Sequence, residues 1–176
     1  MALEQLPPSA HPMDVMRSGC SVLGTLEPEK EAMPEAAARE IGDRLLASFG
    51  SMLLYWYHFA HHGRRIEVET DDGSIGAHFL HLLHGRPPPA LWERAMHTSL
   101  NLYAEHEFNA STFTARVVAG TSSDIYSAIT GAIGALRGTK HGGANEAACD
   151  IQCRYATADA AEADIRERVG RKEIII

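Results

Sequence analysis

An all-α fold is predicted, and three observations predict it. Apolar residues recur at helical spacing, as at Ile41, Leu45, Leu46, Phe49, Leu53 and Trp56. Glycines at 85, 120 and 138 each follow such a run, where a helix would stop, and Ser74 and Pro89 stand where helices could begin. Only "RRIEVETDDG" alternates, and it reads as a loop or a small hairpin arm.

The elements follow in order. "HPMDVMRSGCSVLG" is expected to form a short helix after Pro12, closed by Gly24. "EPEKEAMPE" is a polar loop containing two prolines. "AAAREIGDRLLASFGSMLLYWYHFAHHG" is a long helix whose histidine-rich end suits solvent and the negative end of the helix dipole. "SIGAHFLHLLHG" runs from an N-cap at Ser74 to a terminal glycine at Gly85. After the stiff "RPPPA", a helix passes through "LWERAMHTSLNLYAEH", with Pro89 in its first turn. "ASTFTARVVAG", "SDIYSAITGAIGALRG", "GGANEAACDIQCRY" and "DAAEADIRERVG" complete the series. Gly131 lies among Ala128, Ala132 and Ala135. A glycine inside a helix costs about 1 kcal/mol against alanine, so this face implies close approach of another helix, in the same subunit or across a dimer. The closing "RKEIII" puts three β-branched apolar residues together and reads as the start of a buried, extended segment that continues further.

The 176 residues suit one domain, without repeats or an internal linker. Charged residues make up 22% and hydrophobic ones 45%, a globular balance. A net charge of -7 excludes bulk attraction to nucleic acid or an anionic membrane. Three cysteines, Cys20, Cys149 and Cys153, form no disulfide framework; Cys149 and Cys153 are close enough on a helix to touch, and packed, small buried or half-buried thiols are the simpler reading. "MALEQLPPSAHP" has no signal-peptide pattern, and no apolar run is long enough for a membrane span. A cytoplasmic protein is expected.

Ten histidines raise the question of metal. His78, His81 and His84 drift round one side of a helix, with no carboxylate or cysteine expected beside them to complete a site; they read as packed or surface histidines, and no metal is expected. Two other stretches hold more chemistry. "LYAEHEFNAST" crowds Tyr103, Glu105, His106, Glu107 and Asn109 into a helix junction, which serves either a cleft or helix capping. "TKHGGANE" sets His141 before a helix start, among residues with almost no side chain. The helix field there disfavours imidazolium, and a neutral imidazole can polarise a carbonyl by donating a hydrogen bond. Gly142 and Gly143 either leave room for a ligand or make a turn at positive φ beside a surface histidine.

Taken together, "HPMDVMRSG", "GSMLLYWYHF", "SIGAHFLHLLHG", "LYAEHEFNASTFTARV", "DIYSAITGAIGALRG" and "KHGGANE" resemble the citrate synthase superfamily, most closely its propionyl-CoA-using branch. The likeness covers nearly the whole chain and places it in the middle of a longer family chain, incomplete at both ends. It implies a multi-helical large domain running towards a small mobile domain, and a homodimer of packed helices. The implied reaction condenses propionyl-CoA with oxaloacetate and water to give 2-methylcitrate and CoA. Coenzyme A arrives as the substrate thioester, with no other cofactor. By resemblance His106 binds oxaloacetate, His141 is catalytic at the acyl-CoA carbonyl, Tyr103 shapes the acyl pocket, and Ile174, Ile175 and Ile176 begin the segment that receives CoA. The catalytic aspartate, a second histidine and substrate-gripping arginines would lie beyond Ile176. Two positions depart from the family pattern: Thr139, where proline is usual, and Gly73, where an acidic residue is usual. Two alternatives stay open: condensation with acetyl-CoA, and an inactive helical module that self-associates.

Overall fold

The computed structural model describes residues 2–29, 35–105 and 107–175. Eight α-helices carry the chain, with a single 3-10 turn at Leu3–Gln5 and no strand among the described residues. They are α1 Pro12–Leu26, α2 Glu35–His62, α3 Ile75–His84, α4 Ala90–Tyr103, α5 Ala110–Ala119, α6 Ile125–Leu136, α7 Gly143–Gln152 and α8 Ala158–Gly170. The chain divides into two compact units, residues 1–134 and 135–176.

Capping sets most helix ends. His11 accepts from the Met13 N–H through Nδ1, with Pro12 at the first helical position of α1. Ser74 accepts from the Ala77 N–H to open α3, and Gly85, at φ 69, closes it in the left-handed region that a side chain disfavours. Asn109 opens α5 by accepting from the Thr112 N–H, and Thr157 opens α8 through the Ala160 N–H. Pro89 is the N-cap of α4, one residue before the first helical position. The stretch 63–72 has neither helix nor strand and is a loop, not a hairpin arm.

The first unit is built on α2. Ile41 and Leu45 join Cys20 of α1 and Tyr126 and Ile133 of α6 in one buried cluster. Further along α2, Leu54 and Trp56 are buried, and the Trp56 indole N–H donates to the Leu6 carbonyl at 3.4 Å. Leu46, expected on the inner face, is exposed: one position past Leu45, it is turned about 100° away from the core.

Two expectations fail for tertiary reasons. Gly24 does not close α1, which runs on to Leu26. A Cβ at Gly24 would lie 2.5 Å from Cβ of Tyr126, so the glycine serves the approach of α6. Likewise Gly131 faces Val118 and Thr114 of α5, so part of the small-residue face is used within the subunit. The end of α2 is also not wholly solvated. His58 is buried, its Nε2–H donating to the Leu82 carbonyl at 2.8 Å while Nδ1 accepts from Arg64 at 3.2 Å. His61 and His62 are exposed as expected.

The N-terminal turn is tied down by charge. Glu4 accepts from the Arg65 guanidinium at 2.8 and 3.0 Å and from the Tyr55 hydroxyl at 2.6 Å. Arg65 first, then Tyr55, lower its pKa from 4.5 to about 2. A depressed carboxylate pKa adds stability above pH 4.5 that is lost as pH falls through about 2. Acid unfolding followed by circular dichroism should therefore show a loss of stability in that window which Glu4→Gln lacks. A Glu4→Gln titration that overlays the native one would refute this.

In the second unit, Ile151 of α7 is buried. The Tyr155 hydroxyl donates to Asp164, and Glu173 accepts from both Arg168 and Arg171, at 3.0 and 2.8 Å. These contacts tie the residues on either side of α8 to the helix.

Candidate active site

The turn that carries His141 is made of backbone. The Gly138 carbonyl accepts from the N–H of His141 at 2.9 Å and from that of Gly143 at 3.2 Å. The His141 carbonyl then accepts from the Ala144 N–H at 3.1 Å, which launches α7. His141 is half-buried and precedes Gly142, the N-cap.

The glycines after His141 have a structural cause within the chain, and it is not the expected positive φ. Gly142 has φ -60, so neither a left-handed turn nor positive φ is involved. A Cβ on Gly142 would fall 2.5 Å from the Leu136 carbonyl oxygen and 2.6 Å from Leu136 Cδ1. On Gly143 it would fall 3.0 Å from the Gly138 oxygen. Both glycine faces meet the chain's own backbone, which lets the chain fold back on the end of α6 and fixes the start of α7. Thr139 is exposed in this turn.

Tyr103 is the last residue of α4 and is 72% exposed. After it Glu105 accepts from the Glu107 N–H, with Glu107 at φ 46, before Asn109 caps α5. Asn109 and Glu105 thus cap and turn the backbone at this junction. His106 lies outside the described residues. Tyr103 belongs to the first unit; His141, Ile174 and Ile175 belong to the second. Ile174 is 86% exposed and Ile175 half-buried. Ile176 lies outside the described residues.

Sequence reasoning missed a polar relay beside α3. Contrary to expectation a carboxylate does reach these histidines: Asp72 Oδ2 lies 2.8 Å from His81 Nδ1. The Thr70 hydroxyl first, then His81, hold the Asp72 carboxyl below its ordinary value. Thr70 Oγ1 lies 2.8 Å from His78 Nδ1, and Ser51 Oγ lies 2.9 Å from His78 Nε2. His78 bridges the two hydroxyls, one ring nitrogen donating and the other accepting. A cleft of about 730 Å³ is lined by Ser51, Thr70, Asp72 and His78 with Glu69, Asp71 and Ser74. The relay holds the loop before α3 to α2. The only sequence signal was "TDD" next to a helix start, and its partner Ser51 is 27 residues from His78. Gly73 sits in this loop, and a Cβ there would meet nothing within 4 Å. Among the described residues no group of three His, Cys, Asp or Glu side chains could hold a metal ion.

The helical architecture has counterparts among known proteins. A family model described as citrate synthase, C-terminal domain, matches residues 1–176, and the chain belongs to the citrate synthase family. It is 58% identical to a 2-methylcitrate synthase of Shewanella oneidensis over 99% of this chain and 46% of that protein. It is 37% identical to a citrate synthase of Heyndrickxia coagulans, over 99% of this chain and 46% of that one. The chain thus spans about half the length of the curated relatives it matches. The citrate synthase of Thermotoga maritima superposes with a TM-score of 0.79 at 28% identity, covering 98% of this chain and 44% of that one. The citrate synthase of Thermoplasma acidophilum, solved with carboxymethyl coenzyme A and oxaloacetate, superposes at 0.86 over 98% of this chain and 45% of that one. At 24% identity that likeness speaks for the fold alone. No helix among the described residues is long and apolar enough to cross a membrane.

Proposed function

We propose that the protein to which this chain belongs condenses propionyl-CoA with oxaloacetate and water, yielding 2-methylcitrate and CoA. The observation that carries this reading is the 58% identity to a 2-methylcitrate synthase, against 37% and 38% for two citrate synthases. In this reading a carboxylate base takes the α-proton of the thioester while His141 donates a hydrogen bond to the carbonyl oxygen as it gains charge. The α-proton is weakly acidic, so base and donor must act together. The enol attacks the ketone of oxaloacetate, which His106 helps to hold, and hydrolysis releases CoA. Tyr103 shapes the pocket for the extra methyl group, and Ile174 to Ile176 begin the segment that meets CoA. The base and the arginines that grip oxaloacetate come from parts of the family chain beyond this one. We place the enzyme in the cytoplasm, with no cofactor besides its thioester substrate.

The test compares kcat/KM for propionyl-CoA and acetyl-CoA in the complete protein. A strong preference for acetyl-CoA would replace this reading with that of a citrate synthase.

One observation favours a second reading of the 176-residue chain by itself. Leu102, Tyr103, Phe108 and Phe113 are 68% to 86% exposed around the α4–α5 junction. Exposed apolar side chains so close in sequence favour a non-catalytic helical piece that self-associates through this face, consistent with a homodimer of the whole enzyme. Light scattering on the purified chain decides it, and a stable monomer with clean elution would refute it.

A further inference from the structure

The last turn of α7 holds two thiols that the proposed reaction does not use. Cys149 lies inside the helix, and Cys153 is its C-cap, still at helical angles of φ -67 and ψ -14. The Cys153 N–H donates to the Cys149 carbonyl at 2.9 Å, so the turn between them is intact. Residues four apart share one face of a helix. Both cysteines are exposed, contrary to the packed role expected of them, whereas Cys20 is buried. The Cys153 thiol is near enough to raise the pKa of the Cys149 thiol, chiefly by charge repulsion.

This geometry separates two chemistries. Cβ atoms four residues apart on a helix stand about 5–6 Å from each other. A disulfide needs them at roughly 3.5–4.5 Å, so direct oxidation would require the turn to unwind. A bridging atom bonded to both sulfurs lengthens the link by one atom and fits the intact turn. No third His, Cys, Asp or Glu completes a metal cluster among the described residues. A structural zinc site, with four protein ligands, is therefore not offered. The centre that fits needs only two sulfurs, its remaining valence being already filled.

We propose that Cys149 and Cys153 form a dithiol site that takes one soft, thiophilic arsenic(III) centre carrying a single organic group, bound through both sulfurs. Two As–S bonds form, and the arsenic–oxygen bond of the arsenoxide breaks. Its oxygen leaves as water with both thiol protons, and no electrons are transferred. Repulsion from Cys153 pushes the Cys149 thiol up, so the two sulfurs resist being anionic together. A centre bonded to both removes that repulsion.

Phenylarsine oxide, added in equal amount to the reduced 176-residue chain, is the probe. Intact mass under native conditions should show one phenylarsenic group per chain and no second. Two thiols should be lost together to a thiol-reactive chromophore. 1,2-Ethanedithiol should release the group and an equal concentration of a monothiol should not. Cys149→Ser and Cys153→Ser, both at exposed positions, should each weaken retention roughly a hundredfold by removing the chelate. The absence of an adduct would overturn the proposal, and so would an adduct that survives either substitution or one blocked thiol per arsenic. None of these outcomes bears on the condensation reaction, because the measurement uses no substrate.

Discussion

Replacing His141 with alanine in the complete enzyme is expected to lower kcat by roughly a hundred- to a thousandfold, the usual cost of removing one donor from a developing oxyanion. KM for oxaloacetate should change little, because the proposed role of His141 is to act on the thioester. The fold should survive. The turn is held by the His141 N–H, its carbonyl and the Gly143 N–H, none of which depends on the imidazole. Steady-state CoA release gives kcat, and circular dichroism confirms that the helices remain. Undiminished kcat would remove His141 from the chemistry without touching membership of the family. The opposite pattern, an intact kcat with a raised KM, would make His141 a binding group only.

What the sequence made legible was local. Ser74 and Gly85 mark α3 correctly because N-cap and left-handed C-cap are decided within a few residues. The periodicity of α2 is equally local, and its inner face is right except at Leu46. Gly24 was misread because a glycine after an apolar run looks like a stop, while its actual cause is Tyr126, about a hundred residues later. His58 was misread for the same reason: its partner is the Leu82 carbonyl. At the candidate site, "TKHGGANE" was legible as a turn before a helix. The reason for its glycines was not, since it depends on where the chain places Leu136. The Ser51–His78–Thr70 contacts and the His81–Asp72 pair draw their members from one helix, another helix and the loop before it, so no spacing rule could join them.

Gly24→Ala offers the sharpest test of that long-range packing, because local and tertiary effects oppose each other. Helix propensity alone favours alanine by about 1 kcal/mol. Against this, the new methyl would sit 2.5 Å from Tyr126 Cβ and 2.7 Å from Cγ. The Cβ cannot swing aside with a rotamer, so α1 and α6 must separate. That opens the cluster of Cys20, Ile41, Leu45 and Ile133 around the ring. Forcing a methylene into a packed core costs about 1–3 kcal/mol, which outweighs the propensity gain. Thermal unfolding should therefore fall by roughly 2–4 °C for each net kcal/mol lost. Gly42 of α2 supplies the control: a Cβ there meets nothing within 4 Å, so Gly42→Ala should raise the melting temperature. Tyr126→Phe sharpens it further. The buried Tyr126 hydroxyl has no hydrogen-bond partner, so its removal should be neutral or stabilising while the ring still blocks residue 24. A Gly24→Ala protein as stable as Gly42→Ala would show that α1 and α6 do not meet at this distance in solution.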